Sequence, residues 1–258
     1  MSEPKSDVPK APAVAAAIAI LRHLASQSTP VGLTAISRAV GLSPSSCLNI
    51  LRTLAADAFV FFDPDTKDYT LGLGSIALAR RALDPAGAMD IARSDLRRMA
   101  LEHEVTSSLW RLAPNERLVL VGFEESLATT RVHLTIGQRL PQYLGAMGRC
   151  IAAYSNIEGA EFIPHYEALR WHRDPGLTAY RAQAAEVRAR GWAIDIDNFM
   201  QGVTTLAAPV LDRAGNVRFC VTSTTFSGQN DDAGLNRIGT ETARLSHVLS
   251  TLLFGAEI

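Results

Sequence analysis

The sequence predicts an α+β chain of two domains: three helices and a hairpin in the first third, then a mixed domain around a central antiparallel sheet. Residues 14–56 place apolar side chains at helix spacing on both sides of a glycine turn, and two short strand patterns follow. Beyond residue 87, short strands frame a helical middle, which is typical of a sheet covered by helices. Between these regions, Asp84-Pro85-Ala86-Gly87 interrupts two helical patterns and predicts the domain boundary.

The first domain begins with two predicted helices. One is expected over residues 14–25, because apolar side chains recur there at the spacing of one helix face. Thr34 is expected to cap a second, short helix that ends at Ala39, since its side-chain oxygen can accept from an unpaired backbone amide. Gly41 then supplies a tight turn.

The third helix has the clearest start signal. Ser43 can cap it through its hydroxyl, and Pro44 suits the first turn because proline has no amide proton to satisfy. The helix is expected to end at Ala56, and residues 59–62 and 69–71 predict a hairpin after it. The apolar face of this helix is Cys47, Ile50, Leu51 and Leu54, and it is expected to pack against Val14, Ile18 and Leu21.

This order of elements is typical of a helix-turn-helix, in which the second helix enters the major groove of DNA and the first braces it. Residues 44–56 would be the reading helix. Its outward side chains are short and polar; Asn49 suits adenine, and Arg52 suits guanine or a phosphate. The candidate DNA-binding residues are Thr34, Ser43, Ser45, Ser46, Asn49, Arg52 and, at the hairpin tip, Lys67.

The pattern alone leaves one alternative open, because trihelical units with a hairpin also serve as protein-docking modules. Charge favours neither: the formal net charge is -1 and the pI is about 6.6, so bulk electrostatics predict neither a nucleic acid nor a membrane partner. A DNA reader of this composition must depend on direct contacts to bases and on the avidity of a dimer.

Composition argues against several other classes. With 47% apolar and 20% charged residues the chain is globular, and no apolar run approaches the ~20 residues that span a bilayer. Three widely spaced cysteines, Cys47, Cys150 and Cys220, fit a reduced cytoplasm better than a disulfide framework or a metal site. The histidines are scattered, so we expect no enzyme, no metal site and no resident cofactor.

The second domain is expected to alternate strands and helices. Arg117 begins a strand that forms a hairpin with the preceding one, because alternating segments flank Pro114-Asn115-Glu116. The expected strands are Ser107–Leu112, Arg117–Phe123, Arg131–Leu134, Trp192–Asp195, Val203–Leu211 and Asn216–Phe226. The expected helices are Ile91–Val105, Gly145–Tyr154, Glu158–Leu169, Thr178–Arg190 and a last one from Asp231.

Several motifs occur together in one order. They are Leu33–Ser46, Asp63–Gly72, Gly137–Pro141 with Gly145–Arg149, Arg190-Gly191-Trp192, Gly202-Val203 and Ala207–Asp212. The first two resemble the helix-turn-helix and the wing of the IclR family of bacterial transcriptional regulators. The third resembles the segment that opens the family's effector pocket. The resemblance extends from about Val14 to the C-terminus and departs at Asn49 and Pro44, where the family's reading helix usually or often carries a basic residue.

The resemblance implies a winged helix-turn-helix over residues 1–72, a linker over 73–86 with a helix at Leu73–Leu83, and a GAF-like effector-binding domain over 87–258. It also implies a homodimer or homotetramer in the cytoplasm that binds double-stranded operator DNA. Such a protein represses or activates an operon, often a catabolic one, in response to a small organic acid or aromatic metabolite. The alternative is a ligand-binding or docking module whose winged helix does not read DNA.

A polar constellation in the second domain fits such an effector. Thr222 and Thr224 are two apart on one strand, so their hydroxyls share a face, although threonines also favour strands without binding anything. A helix that begins at Gly145 would offer free amides to an organic carboxylate. These positions resemble the family's effector-binding set, and the candidates are Gly145, Ala146, Met147, Asp195, Thr205, Thr222 and Thr224.

Overall fold

The computed structural model describes residues 11–114, 116–127, 132–155 and 159–255, which form two compact units that divide between Ala82 and Leu83. Each unit has its own hydrophobic core. Across the described ranges, no helix combines the length and the apolar character that crossing a membrane requires.

The first unit is a winged helix-turn-helix, as predicted. Its three strands form a small antiparallel sheet in the order β1-β3-β2. The helix α4 begins directly after the hairpin and has no buried residue. The elements are α1 Pro12–Ala25, β1 Val31–Gly32, α2 Leu33–Ala39, α3 Pro44–Ala56, β2 Val60–Phe62, β3 Asp68–Leu71 and α4 Gly74–Leu83.

The core of the first unit confirms the apolar face of α3 but corrects that of α1. Cys47 and Leu51 are fully buried, whereas Val14 and Ile18 are 59% and 45% exposed. Ile20 and Leu24 of α1 pack in the core instead, with Leu21 partly buried beside them. The expectation was wrong because α1 is apolar on almost every side, so spacing alone does not select the buried stripe.

The start of α2 also differs from the prediction. The helix begins at Leu33 with Gly32 before it, and no side chain caps it. Val31 and Gly32 form the short strand β1, which pairs with Tyr69 and Asp68 of β3. This pairing sets where the helix begins, so Thr34 lies inside the first turn and is not its cap.

The second unit is a six-stranded antiparallel sheet in the order β6-β5-β4-β9-β8-β7. One face packs against α5 and α9, and the other packs against α6. The elements are α5 Ala88–His103, β4 Thr106–Ala113, β5 Arg117–Glu124, β6 Arg139–Pro141, α6 Gly145–Tyr154, a 3-10 turn at Gly159–Phe162, α7 Ile163–Glu167, α8 Leu177–Arg190, β7 Ala193–Ile196, β8 Val203–Leu211, β9 Val217–Phe226 and α9 Asp232–Phe254.

Two predicted elements of this unit are wrong. The strand expected at Arg131–Leu134 is not present at residues 132–134, and Arg131 lies outside the described residues. The third strand is β6, eight residues later, where it pairs with β5. The helix expected over Glu158–Leu169 is split into a 3-10 turn and the short α7, and Pro164, which has no amide proton to donate, stands at the start of α7. Glu158 also lies outside the described residues.

Candidate functional site

The outer face of α3 presents short polar side chains to solvent. Ser45, Ser46, Asn49 and Arg52 are exposed, while the opposite face lies in the core. Ser43 caps the helix as predicted, because its Oγ accepts a hydrogen bond from the Ser46 amide at 3.2 Å. The helix is therefore anchored at its start with its polar face free to meet a ligand.

The hairpin between β2 and β3 is held by its own first residue. Asp63 Oδ1 accepts from the amides of Asp65 at 2.8 Å and Thr66 at 3.5 Å. These hydrogen bonds hold the pKa of Asp63 below its ordinary value. Lys67 is exposed at the tip with φ of 63°.

The charge of this hairpin limits its use for DNA. Lys67 is the one basic residue between positions 60 and 71, against the carboxylates of Asp63, Asp65 and Asp68. A hairpin with this balance contributes little attraction to phosphates. Thr34 is exposed near the start of α2. The polar face of α3 is thus the stronger candidate for base contacts.

The second unit contains a cavity of about 670 Å³, mouth included, between the sheet and the start of α6. The strand register places Thr205 opposite both Asp195 of β7 and Thr224 of β9, so these three residues lie in one row across the sheet. All seven effector candidates line this cavity: Gly145, Ala146, Met147, Asp195, Thr205, Thr222 and Thr224.

Two further residues with polar groups line the cavity but were not among the candidates chosen from the sequence. Ser108 of β4 lies opposite Thr222, and their hydroxyl oxygens are 2.6 Å apart. Trp110 donates from Nε1 to Ser108 Oγ at 2.9 Å. Both residues line the cavity, and their period-two spacing on a strand was the one available signal.

The walls and the amide-bearing end of α6 complete the cavity. Leu144, Phe199 and Met200 are among its apolar walls. No side chain caps α6, and the first amides of an α-helix have no partner within the helix. Gly145, Ala146 and Met147 therefore bring unpaired amides and the positive end of the helix dipole to the cavity.

A buried arginine stands behind Asp195. Arg149 is 1% exposed, and its guanidinium donates to Asp195 Oδ2 at 2.7 Å, to Gln183 Oε1 at 2.7 Å and to Asn198 Oδ1 at 3.1 Å. Asp195 Oδ1 also accepts from the Phe199 amide at 3.0 Å. The sequence signal was a single charged residue in α6, whose other nine residues are uncharged. Asp195 is therefore an ion-paired carboxylate.

The cysteines are poor candidates for sensing. Cys47, Cys150 and Cys220 are all buried and free of disulfides. Burial raises the pKa of Cys150 to about 12 and raises that of Cys220 well above its ordinary value. Because the thiolate is the reactive form, these thiols stay protonated and inert at neutral pH.

One cluster among the described residues has side chains that bind metals. Ligand atoms of Glu102, His103 and Glu241 lie within 4.8 Å of one another. The guanidinium of Arg98, however, donates to Glu102 at 2.8 Å and to Glu241 at 3.4 Å. Since Arg98 already supplies the positive charge between the two carboxylates, the cluster is better described as a salt-bridge network.

Comparison with known proteins assigns both units. Residues 13–64 match the IclR helix-turn-helix domain, and residues 80–250 match the C-terminal domain of the bacterial transcriptional regulator IclR. The glycerol operon regulatory protein of Streptomyces griseus is 32% identical over 206 residues, which cover 76% of this chain and 78% of that protein. The HTH-type transcriptional regulator XynR of Escherichia coli is 28% identical over 229 residues, covering 85% and 88%.

Solved structures show the same fold. An IclR homologue from Microbacterium hydrocarbonoxydans, crystallised with 4-hydroxybenzoate, superposes with a TM-score of 0.73 at 16% identity, over 93% of this chain and 99% of that one. The family models and the relatives describe transcriptional regulators and no enzyme. The chain thus belongs to the IclR family of DNA-binding transcriptional regulators.

Proposed function

We propose that this regulator reads its operator through the polar face of α3 and responds to a small organic acid or aromatic metabolite held in the cavity of the second unit. The observation that supports it most strongly is the composition of that cavity. It combines helix amides, a row of hydroxyls and apolar walls around one volume. A thermal-shift screen of organic and aromatic acids tests this, because a ligand that binds the folded form raises the melting temperature by mass action.

The proposed DNA contacts are those of α3. Asn49 pairs with adenine and Arg52 with guanine or a phosphate, while Ser43, Ser45 and Ser46 contact backbone or bases near the helix start. Thr34 and Lys67, which are also exposed, are proposed as further contacts. With a net charge of -1, little of the affinity comes from non-specific attraction, so base contacts and paired chains must supply it.

Pairing of chains is proposed through α4. Leu73, just before α4, is 78% exposed; Ile76 and Leu78 of α4 are 50% and 61% exposed, and α4 has no buried residue. A second copy that covered these side chains would remove apolar surface from water. We expect a dimer or tetramer, with the winged helix over residues 1–72, the linker over 73–86 and the effector domain over 87–258. A mass near 27.8 kDa by light scattering would contradict this.

The cavity chemistry favours an acid that also carries a ring or an apolar body. The amides of residues 145–147 suit a carboxylate, and the walls suit a hydrophobic group. The Microbacterium homologue, which was crystallised with 4-hydroxybenzoate, supports the same class. We propose that the regulator acts in the bacterial cytoplasm and controls an operon that handles such a compound.

Replacing Thr222 and Thr224 together with valine is expected to abolish ligand binding in isothermal titration calorimetry. The substitution keeps shape but removes hydroxyls, and a buried polar group left without its partner costs about 1–3 kcal/mol. Two such losses total about 2–6 kcal/mol, so a ligand of micromolar affinity would bind about 30-fold more weakly at the least and, above about 4 kcal/mol, too weakly for calorimetric detection.

The matched control is Thr225→Val. Thr225 lies on the same strand but on the other face, and it is outside this cavity. It should bind ligand as the wild type does. Normal binding by the double variant would refute the assignment of the cavity.

A further inference from the structure

Arg149 does not line the cavity, but it forms a hydrogen bond with a residue that does. It belongs to α6, whose first three residues line the volume, but it is not itself a lining residue. Besides its three hydrogen bonds, its guanidinium carbon lies 5.3 Å from the ring centre of Tyr180 and 5.9 Å from that of Trp171. A charge so enclosed interacts strongly with its neighbours, since the screening by water is lost.

The partner of Arg149 does face the cavity. Asp195 lines it and is 3% exposed, with one carboxylate oxygen taken by Arg149 and the other by the Phe199 amide. Without Arg149, this carboxylate would present an uncompensated negative charge to any ligand. A carboxylate ligand would then be repelled in surroundings of low dielectric constant.

Arg149 also holds the wall that follows Asp195. It donates to Asn198, which is fixed from the other side by two hydrogen bonds with the backbone of Arg173, at 3.0 and 3.1 Å. Phe199 and Met200, the next two residues, line the cavity. The buried side chain of Arg149 thus contacts both the carboxylate at one wall of the cavity and the residue that precedes a second wall.

We infer that Arg149 determines which ligand charge this cavity accepts. It does so by neutralising Asp195 from outside the cavity and by fixing the wall at residues 198–200. This inference rests on the proposed function of the cavity as an effector site. Arg149 acts through other residues and is therefore a positioning residue. Its ion pair with Asp195 makes this part of the cavity neutral and so permits an anionic ligand.

A merely structural ion pair predicts something different. If Arg149 only stabilised the fold, its loss would weaken the binding of charged and uncharged ligands alike. If it sets the charge, its loss selectively weakens acids, and the loss of Asp195 selectively strengthens them. Removing both charges together should restore the wild-type preference.

The experiment compares four acids with their primary amides: benzoate, 4-hydroxybenzoate, phenylacetate and pyruvate. Calorimetry of the full chain gives the acid-to-amide affinity ratio for the wild type, R149Q, D195N and the double variant. We expect the ratio to fall roughly tenfold or more in R149Q and to rise by a similar factor in D195N. The double variant should return to within about threefold of the wild type, since its two charges are again balanced.

The outcomes separate the two proposals. Circular dichroism identifies any variant that fails to fold. If R149Q fails to fold, the acid-to-amide ratios of D195N and of the double variant still test the role of Arg149. A wild type that binds none of the eight compounds contradicts the proposed effector site and, with it, this inference. A wild type that binds an acid, with acid-to-amide ratios unchanged in the variants, overturns the role of Arg149 and leaves the effector site standing.

Discussion

The alanine substitution of Arg52 is expected to lower the affinity of the chain for operator DNA by about five- to 150-fold, the equivalent of about 1–3 kcal/mol for a lost bidentate base contact. Arg52 is exposed on the same side of α3 as Ser45 and Asn49. Asn49→Ala should cost a similar factor if it pairs with adenine. Because net charge supplies little attraction, these losses should stand out in fluorescence anisotropy with DNA from upstream of its own gene.

A charge-matched control separates contact from charge. Arg237→Ala removes the same charge from an exposed position on α9 in the second unit and should leave DNA affinity nearly unchanged. Arg52→Lys keeps the charge but loses the planar fork of the guanidinium, so it should weaken a bidentate guanine contact more than a phosphate contact. Equal losses from Arg52→Ala and Arg237→Ala would show that Arg52 makes no specific contact.

The substitution Gly148→Ala is expected to destabilise the second unit more than any ordinary helix substitution. A Cβ at this position would lie 2.0 Å from the carbonyl carbon and oxygen of Tyr143, both backbone atoms that no rotamer change can move. That carbonyl also accepts a hydrogen bond from the Tyr180 hydroxyl at 2.8 Å. Overpacking costs about 1–3 kcal/mol or more, which exceeds the roughly 1 kcal/mol that alanine gains over glycine in a helix.

Calorimetric melting measures this effect. At roughly 2–4 °C per kcal/mol for a domain of this size, the second unit should melt several degrees lower. Since Gly148 is in the first turn of the helix that lines the cavity, ligand affinity should fall as well. The control is Gly234→Ala, where a Cβ meets only side-chain atoms of Asp231 and Asn230, the nearest at 3.1 Å. Equal melting temperatures for the two variants would contradict the steric account.

Local chemistry explains which features could be predicted from the sequence. The cap of α3 depends on Ser43 and Pro44, which are adjacent in the chain, and the shared face of Thr222 and Thr224 follows from strand period alone. The strand β8 and the helix α6 were predicted with their observed limits. Their flanking glycines and prolines carry turn signals that neighbouring residues do not override.

Long-range pairing explains the failures. Ser108 and Trp110 belong to the cavity because β4 pairs with β9, and the paired residues are more than a hundred positions apart in the sequence. The same holds for β1, which exists because β3 pairs with it, and for Arg149, whose partner Asp195 comes 46 residues later. The exposure of Val14 and Ile18 was not predicted because α1 is apolar on almost every side, and the sequence of such a helix does not reveal which face is buried.

The most direct measurement of the central claim is the affinity of the chain for DNA upstream of its own gene, with and without a saturating acid selected by the thermal-shift screen. The wild type and the Thr222→Val, Thr224→Val double variant are compared by anisotropy. We predict that the acid changes wild-type affinity by about five- to 150-fold, the usual range of allosteric coupling, and leaves the double variant unaffected. An identical acid response in both proteins, or wild-type binding without preference for that DNA, would contradict an effector cavity coupled to a reading helix.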